Sequence, residues 1–169
     1  MTLALRSAVA AALPSEEGLV RQLAALPPRA WTEVAEVFAR DLPELEAALA
    51  LPGAETLAQA LGRLRGLSVL ELGPDGRLPE RAGGPVLGDA VLVTQHLTDG
   101  LAELEALLRA EAANLRVRAV AVAVERTNAR GRTRLELQGV RVLSAVALAD
   151  TPAGLKFEQR LPPRLRRAS

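Results

Sequence analysis

The stretch Thr94-Gln95-His96-Leu97-Thr98-Asp99-Gly100 places several polar groups between an apolar run, Ala90–Thr94, and a helical pattern starting near Leu101. Backbone N–H groups at the start of such a helix can cradle a phosphate, and the Thr98 hydroxyl adds a donor. Asp99 suits the helix N-cap, although its charge would oppose a bound phosphate. His96 is the only histidine of the chain. With no second histidine and no acid dyad beside it, it reads as a structural or surface residue rather than an acid–base group. The glycines and lysine of the Walker A and dinucleotide fingerprints are missing. Taken by itself, the stretch says phosphate, and says it weakly.

These residues need a scaffold, and 169 residues with 49% apolar and 24% charged side chains suit one globular domain with a real core. The core must be built from Leu, Val and Ala, because Trp31, Phe38 and Phe157 are the only aromatics. That scarcity leaves almost nothing to stack on nucleic-acid bases. A net charge of +1 gives no field to gather nucleic acid or anionic membrane. The absence of cysteine excludes disulfides, thiolate catalysis and Cys-based metal sites. No apolar run is long enough to span a bilayer, and the Ala-rich start around Ala8–Leu13 lacks a cleavage pattern, so a cytoplasmic protein without membrane attachment is expected.

The first third reads as helical. Ser15 is the expected N-cap of a helix with Leu19, Leu23 and Leu26 on one face, stopped by Pro27-Pro28. A second amphipathic segment aligns Trp31, Val34, Phe38 and Leu42. From Leu45 the pattern alternates. Ala47–Leu51, Leu67–Leu72, Ala90–Thr94, Val117–Val124 and Val140–Leu143 read as strands; Thr56–Leu64 and the segment from Leu101 read as helices, with Asn114 at the exit of the latter. Strand, helix and strand joined by tight loops imply a right-handed βαβ unit and a parallel sheet. Arg132–Gln138 fits either a hairpin strand or a short helix capped by Asn128 and closed by Gly139. Glu103 and Glu105 point to different sides of their helix and read as solvated.

The segment GDAVLVTQHLTDGLAELEALLRAEAANLRVRAVAVAVERTNARGRTRLELQGVRVLSAVALAD resembles the C-terminal half of type I phosphoribosyltransferases, the orotate enzymes above all. Upstream, LALPGAETLAQALGRLRGLSVLEL resembles their strand, pyrophosphate loop, helix and strand. The resemblance runs from about Leu49 to Asp150. It implies a parallel-sheet α/β core at residues 45–150, an N-terminal helical segment at 1–44 packed on it, and a C-terminal tail at 151–169. It also favours the helical reading of Arg132–Gln138.

The same resemblance implies a ligand site at Thr94, Gln95, Thr98, Asp99 and Gly100, with a pyrophosphate-loop remnant at Pro52, Gly53 and Ala54. In the family two acids that bind the ribose hydroxyls of phosphoribosyl pyrophosphate precede the phosphate cradle; Thr94 and Gln95 stand in their places. Asp99 replaces a neutral residue, and Ala102 a hydroxyl. The Gly73–Gly88 stretch is short for a catalytic loop, with Arg77 and Arg81 its cations. Glu125-Arg126, matching the family's acid–Arg pair, fits either a ligand contact or a plain ion pair.

Three readings remain open at this point. The first is a phosphoribosyltransferase-fold protein that has lost standard catalysis and binds a nucleotide-like or phosphate ligand, or serves regulation or assembly. The second is an active transferase with an altered site, in which case alone Mg²⁺ is implied. The third is a nucleic-acid accessory protein using Arg160, Arg164, Arg166 and Arg167, which charge and aromatic poverty disfavour. A homodimer through the N-terminal helices is expected, on the argument that Trp31 and Phe38 are costly to expose.

Overall fold

A computed structural model describes residues 2–79 and 88–158. Six strands form one sheet in the order β2-β1-β3-β4-β5-β6. They are β1 (Ala47–Ala50), β2 (Ser68–Glu71), β3 (Gly88–Leu97), β4 (Leu115–Arg126), β5 (Arg141–Thr151) and β6 (Gly154–Phe157). The first five are parallel, and β6 turns back antiparallel on β5. The expected strands are all present. Three are longer than their apolar runs, because ladder pairing carries them through polar residues: β3 pairs as far as Leu97 opposite Glu125, and β4 and β5 as far as Arg126 opposite Leu148. Strand β6 lies in the segment set apart as a tail; Leu148 pairs with Phe157 and Thr151 with Gly154.

Four helices cover one face of the sheet: α1 (Leu3–Ala12), α2 (Glu16–Ala25), α3 (Pro28–Asp41) and α4 (Glu55–Arg65). Ser15 caps α2 by accepting from the Gly18 N–H at 3.0 Å, and Pro28 opens α3 at a position where its missing N–H costs nothing. Leu19, Leu23, Val34 and Phe38 enter the core they share with Val91, Val93 and Ala121. Trp31 and Phe38 are 4% and 2% exposed inside the chain's own core. They need no partner copy, so the argument for a dimer through these helices loses its premise.

The opposite face carries α5 (Leu101–Ala112) and α6 (Gly131–Glu136) over Leu92, Val120 and Val122. The ambiguous segment is therefore a helix and not a hairpin. Gly139 (φ +79°) closes it, as the glycine predicts. Asn128 does not cap it; it sits in a 3-10 turn (Thr127–Ala129), where its side-chain oxygen accepts from the Asp150 N–H at 2.9 Å. No helix among the described residues is long and apolar enough to cross a membrane.

Candidate functional site

The carboxyl ends of β1 and β3 bring the expected site residues together. The turn after β1 holds Pro52, Gly53 and Ala54, and a Cβ on Gly53 would lie 3.8 Å from the Gln95 side-chain oxygen. Thr94 and Gln95 belong to β3, as do His96 and Leu97. The stretch read as one loop is thus strand through Leu97, and only Thr98-Asp99-Gly100 remains as the turn before α5. Pairing of His96 with Val124 and Leu97 with Glu125 fixes this, since the central strand has ladder partners available there.

Gly100, and not Asp99 as expected, is the N-cap of α5, because the turn needs the positive φ of +78° that glycine adopts freely; Asp99 stands one residue earlier. Its carboxylate accepts from the Leu101 N–H at 3.0 Å, which occupies a donor that a phosphate would otherwise use. Its carbonyl oxygen accepts from Arg134 Nε at 2.9 Å, tying the turn to α6. Ala102 contributes a methyl group to the wall of a cavity of about 220 Å³ between the turn after β1, the Gly73–Gly76 turn and α5. The Glu105–Arg109 ion pair (2.5 Å) also lines it, and Arg109 donates to the Asp75 carbonyl oxygen. Arg77 pairs with Asp75 at 3.2 Å at the surface. Arg81 and the tail arginines lie outside the described residues.

Glu103 was expected in solvent and is instead 5% exposed. It occupies the first turn of α5, directly behind β3, and accepts a 2.9 Å hydrogen bond from the hydroxyl of the equally buried Thr94. Burial pushes its carboxyl above the ordinary range, and the Asp99 charge adds to the rise. The position had one legible signal: a glutamate three residues after Gly100 lies in the first helical turn, within reach of the preceding strand end.

Glu125 and Arg126 resolve into ion pairs, but not with each other. Glu125, 1% exposed, receives Arg132 Nε and Nη2 at 2.7 and 2.8 Å, a two-pronged contact from α6. Arg126 is held by Asp150 of β5 and, at 2.9 Å, by Glu16 of α2. His96 neighbours this second cluster. Burial, followed by the Arg126 charge, lowers its pKa, while Glu16 and Asp150 act the other way. Its Nε2 is enclosed and has no hydrogen-bond partner among the described residues.

The residues at the strand ends do not suit Mg²⁺. Thr94 and Gln95 offer a neutral hydroxyl and carboxamide where a hard dication favours carboxylate oxygens, the hydroxyl is already committed to Glu103, and the described residues contain no group of three His, Asp or Glu side chains able to hold a metal.

No family model matches the chain, and no curated protein matches its sequence. Solved structures do match. Orotate phosphoribosyltransferase from Mycobacterium tuberculosis in complex with inorganic phosphate superimposes with a TM-score of 0.68 at 14% identity, covering 86% of this chain and 94% of that one. The same enzyme in complex with 5-phospho-α-D-ribosyl 1-diphosphate gives 0.68 at 17%, covering 86% and 87%. A phosphoribosyltransferase from Corynebacterium diphtheriae gives 0.66 at 15%, covering 88% and 97%. Identities this low carry the architecture and not the chemistry. The mostly parallel sheet, the helices on both faces and these superpositions together establish that the chain has the type I phosphoribosyltransferase fold.

Proposed function

We propose that the chain uses this fold to bind a nucleotide-like or phosphate ligand at the carboxyl ends of β1 and β3, without running standard phosphoribosyl transfer. One observation carries the reading: Thr94 and Gln95 bring no negative charge to the place where positive charge would develop on a ribose. Asp99 supports it, since its carboxylate occupies the Leu101 N–H of the cradle. Arg126 is engaged by two carboxylates and offers no free cation to an anionic ligand. What survives for phosphate is the Thr98 hydroxyl and the turn around Gly100, with Gly53 beside Gln95 at the neighbouring strand end.

The altered-transferase reading has one observation in its favour. Glu103 returns a carboxyl group to within one hydrogen bond of Thr94, from the helix rather than the strand. A single assay separates the two. Purified protein is given phosphoribosyl pyrophosphate, Mg²⁺ and a panel of purine and pyrimidine bases, with pyrophosphate release and thermal shift both recorded. The binding reading expects a raised melting temperature with phosphoribosyl pyrophosphate or nucleotides and no release. Robust release that disappears in Gln95→Ala or Thr98→Ala would establish the transferase instead.

A further inference from the structure

At the amino ends of the strands, roughly 20 Å along β4 from His96's partner Val124 at ~3.3 Å per residue, a second polar groove opens. It has a volume of about 450 Å³, and Arg116, Arg118 and Arg141 line it together with Asp41 and Gly139. A β-bulge gathers the arginines. Ala90 pairs with Val117 and Val91 with Ala119, so Arg118 is the extra residue on β4. Without it Arg116 and Ala119 would fall on opposite faces; with it, Arg116 and Arg118 lie on the α3 side of the sheet, and Arg141, which pairs with Ala119, joins them.

Their partners leave positive charge over. Arg118 pairs with Asp89 at 3.0 Å. Arg141 donates to the backbone carbonyl of Asp41 at 3.1 Å, which holds its fork at the groove without neutralising it. The Arg116 side chain is exposed and has no ion pair or hydrogen bond among the described residues. Three arginines therefore line a concave wall; Asp41 is the acidic residue among its lining, Asp89 is spent on Arg118 beside it, and Glu46 is spent on the Asp89 N–H at 2.6 Å. The neighbouring chain is fixed: Arg65 reaches from α4 to the carbonyls of Ala39, Leu42 and Pro43 at 2.7, 3.1 and 2.8 Å. The segment after α3 is thus held by one arginine from each side, and the groove has a rigid lip.

We propose that this groove is a second anion site, separate from the one at the carboxyl ends, and that it takes a di- or triphosphate group. Guanidinium forks match phosphoryl oxygens two at a time. Adjacent strands space them by ~4.8 Å and alternate residues by ~7 Å, so three of them address more than one phosphoryl unit. Inorganic polyphosphates and nucleoside triphosphates share this chemistry.

The test titrates the full chain calorimetrically with tripolyphosphate, ATP and orthophosphate, and repeats this with the Arg116→Gln/Arg141→Gln pair and with Thr98→Ala. Tripolyphosphate binding is expected to weaken at least tenfold in the arginine pair and to persist in Thr98→Ala. Equal affinities for tripolyphosphate and ATP would assign the polyphosphate chain as the ligand, and a clearly tighter ATP would assign a nucleotide. Amide shift mapping on the unaltered protein gives a readout that no variant can spoil, with shifts expected at Arg116, Arg118 and Arg141. No binding by any of the three anions, binding untouched by the arginine pair, or shifts confined to Thr98–Glu103 would overturn the proposal. Arginine-dependent binding of single-stranded RNA without tripolyphosphate binding would overturn it too, in favour of a nucleic-acid surface.

Discussion

Thr94 and Glu103 meet across the β3–α5 junction in a buried 2.9 Å hydrogen bond, so a carboxyl group reaches β3 from the helix behind it. Burial raises the Glu103 pKa above the ordinary carboxylate value of ~4.3. The native state therefore keeps a proton that the unfolded chain has already released. The stabilisation from this group is complete below that value and is lost as pH rises through the native pKa. In Glu103→Gln, chemical-denaturation midpoints are expected to lose this downward slope with pH. A slope identical to the parent protein would show that Glu103 is solvated.

The pH dependence of His96 runs the other way. Its pKa is lowered, so between ~6.5 and the native value the unfolded chain binds more protons. Stability from this group is present above ~6.5 and is lost as pH falls through the native pKa. Its Nε2 is also enclosed and unpartnered among the described residues, a condition that costs about 1–3 kcal/mol. His96→Val is expected to match or exceed the parent in stability at pH 7.5, by up to about 1 kcal/mol, and to flatten the loss on acidification. A variant destabilised at both pH values would point to a hydrogen bond through the other ring nitrogen.

Glu125 and Arg132 should behave as a buried pair whose halves cannot be lost separately. Arg132→Met leaves the Glu125 carboxylate without its two-pronged partner, and a cost of about 3 kcal/mol is expected in urea unfolding. Adding Glu125→Gln to that variant should recover a large part of the loss. Strict additivity of the two changes would deny the coupling.

Gly100 and Gly131 allow the cradle and α6 to approach one another. A Cβ on Gly131 would collide with the Thr98 carbonyl oxygen and stand 2.9 Å from Leu97 side-chain carbons. Gly100 has φ +78°, and a Cβ there would meet the Gly131 Cα at 3.0 Å. Gly131→Ala is expected to destabilise by about 1–3 kcal/mol and to weaken phosphate-ligand thermal shifts through the displaced Thr98. Unchanged stability together with unchanged shifts would remove α6 from the support of the cradle.

The fold was legible because its signals are local and repeated. Ser15, Pro27-Pro28 and Gly139 punctuate helices by backbone chemistry that tertiary packing does not override, and the runs Ala90–Val93 and Ala119–Val124 are apolar on both faces as a covered parallel sheet requires. The strand ends were less legible. Gln95 and His96 are polar, yet β3 continues through them because β4 offers ladder partners at that depth, a fact absent from the composition of β3 itself. Glu103 was misread for a related reason: a single helix face cannot show that the strand behind it presents a hydroxyl at the right height. The partners of Arg126 come from α2 and β5, far apart in sequence, and only the assembled sheet reveals them. The groove at Arg116, Arg118 and Arg141 depends on one extra residue in β4, which no periodicity marks.

Strand β6 ties the two extremes of the described chain together. The Leu155 N–H donates to the Pro14 carbonyl at 3.1 Å, and the Arg6 guanidinium sits over the Phe157 ring, 4.7 Å from its centre. Contacts between such distant positions form only after long loops have closed, which slows them relative to neighbouring helix pairs. During synthesis the α1–α2 hairpin emerges well before the strand that braces its turn. The hairpin's Leu5, Val9, Leu19 and Leu23 are made before Val91, Val93 and Ala121 of the sheet whose core they share. That interval is when this chain would most need a chaperone's protection from premature hydrophobic association.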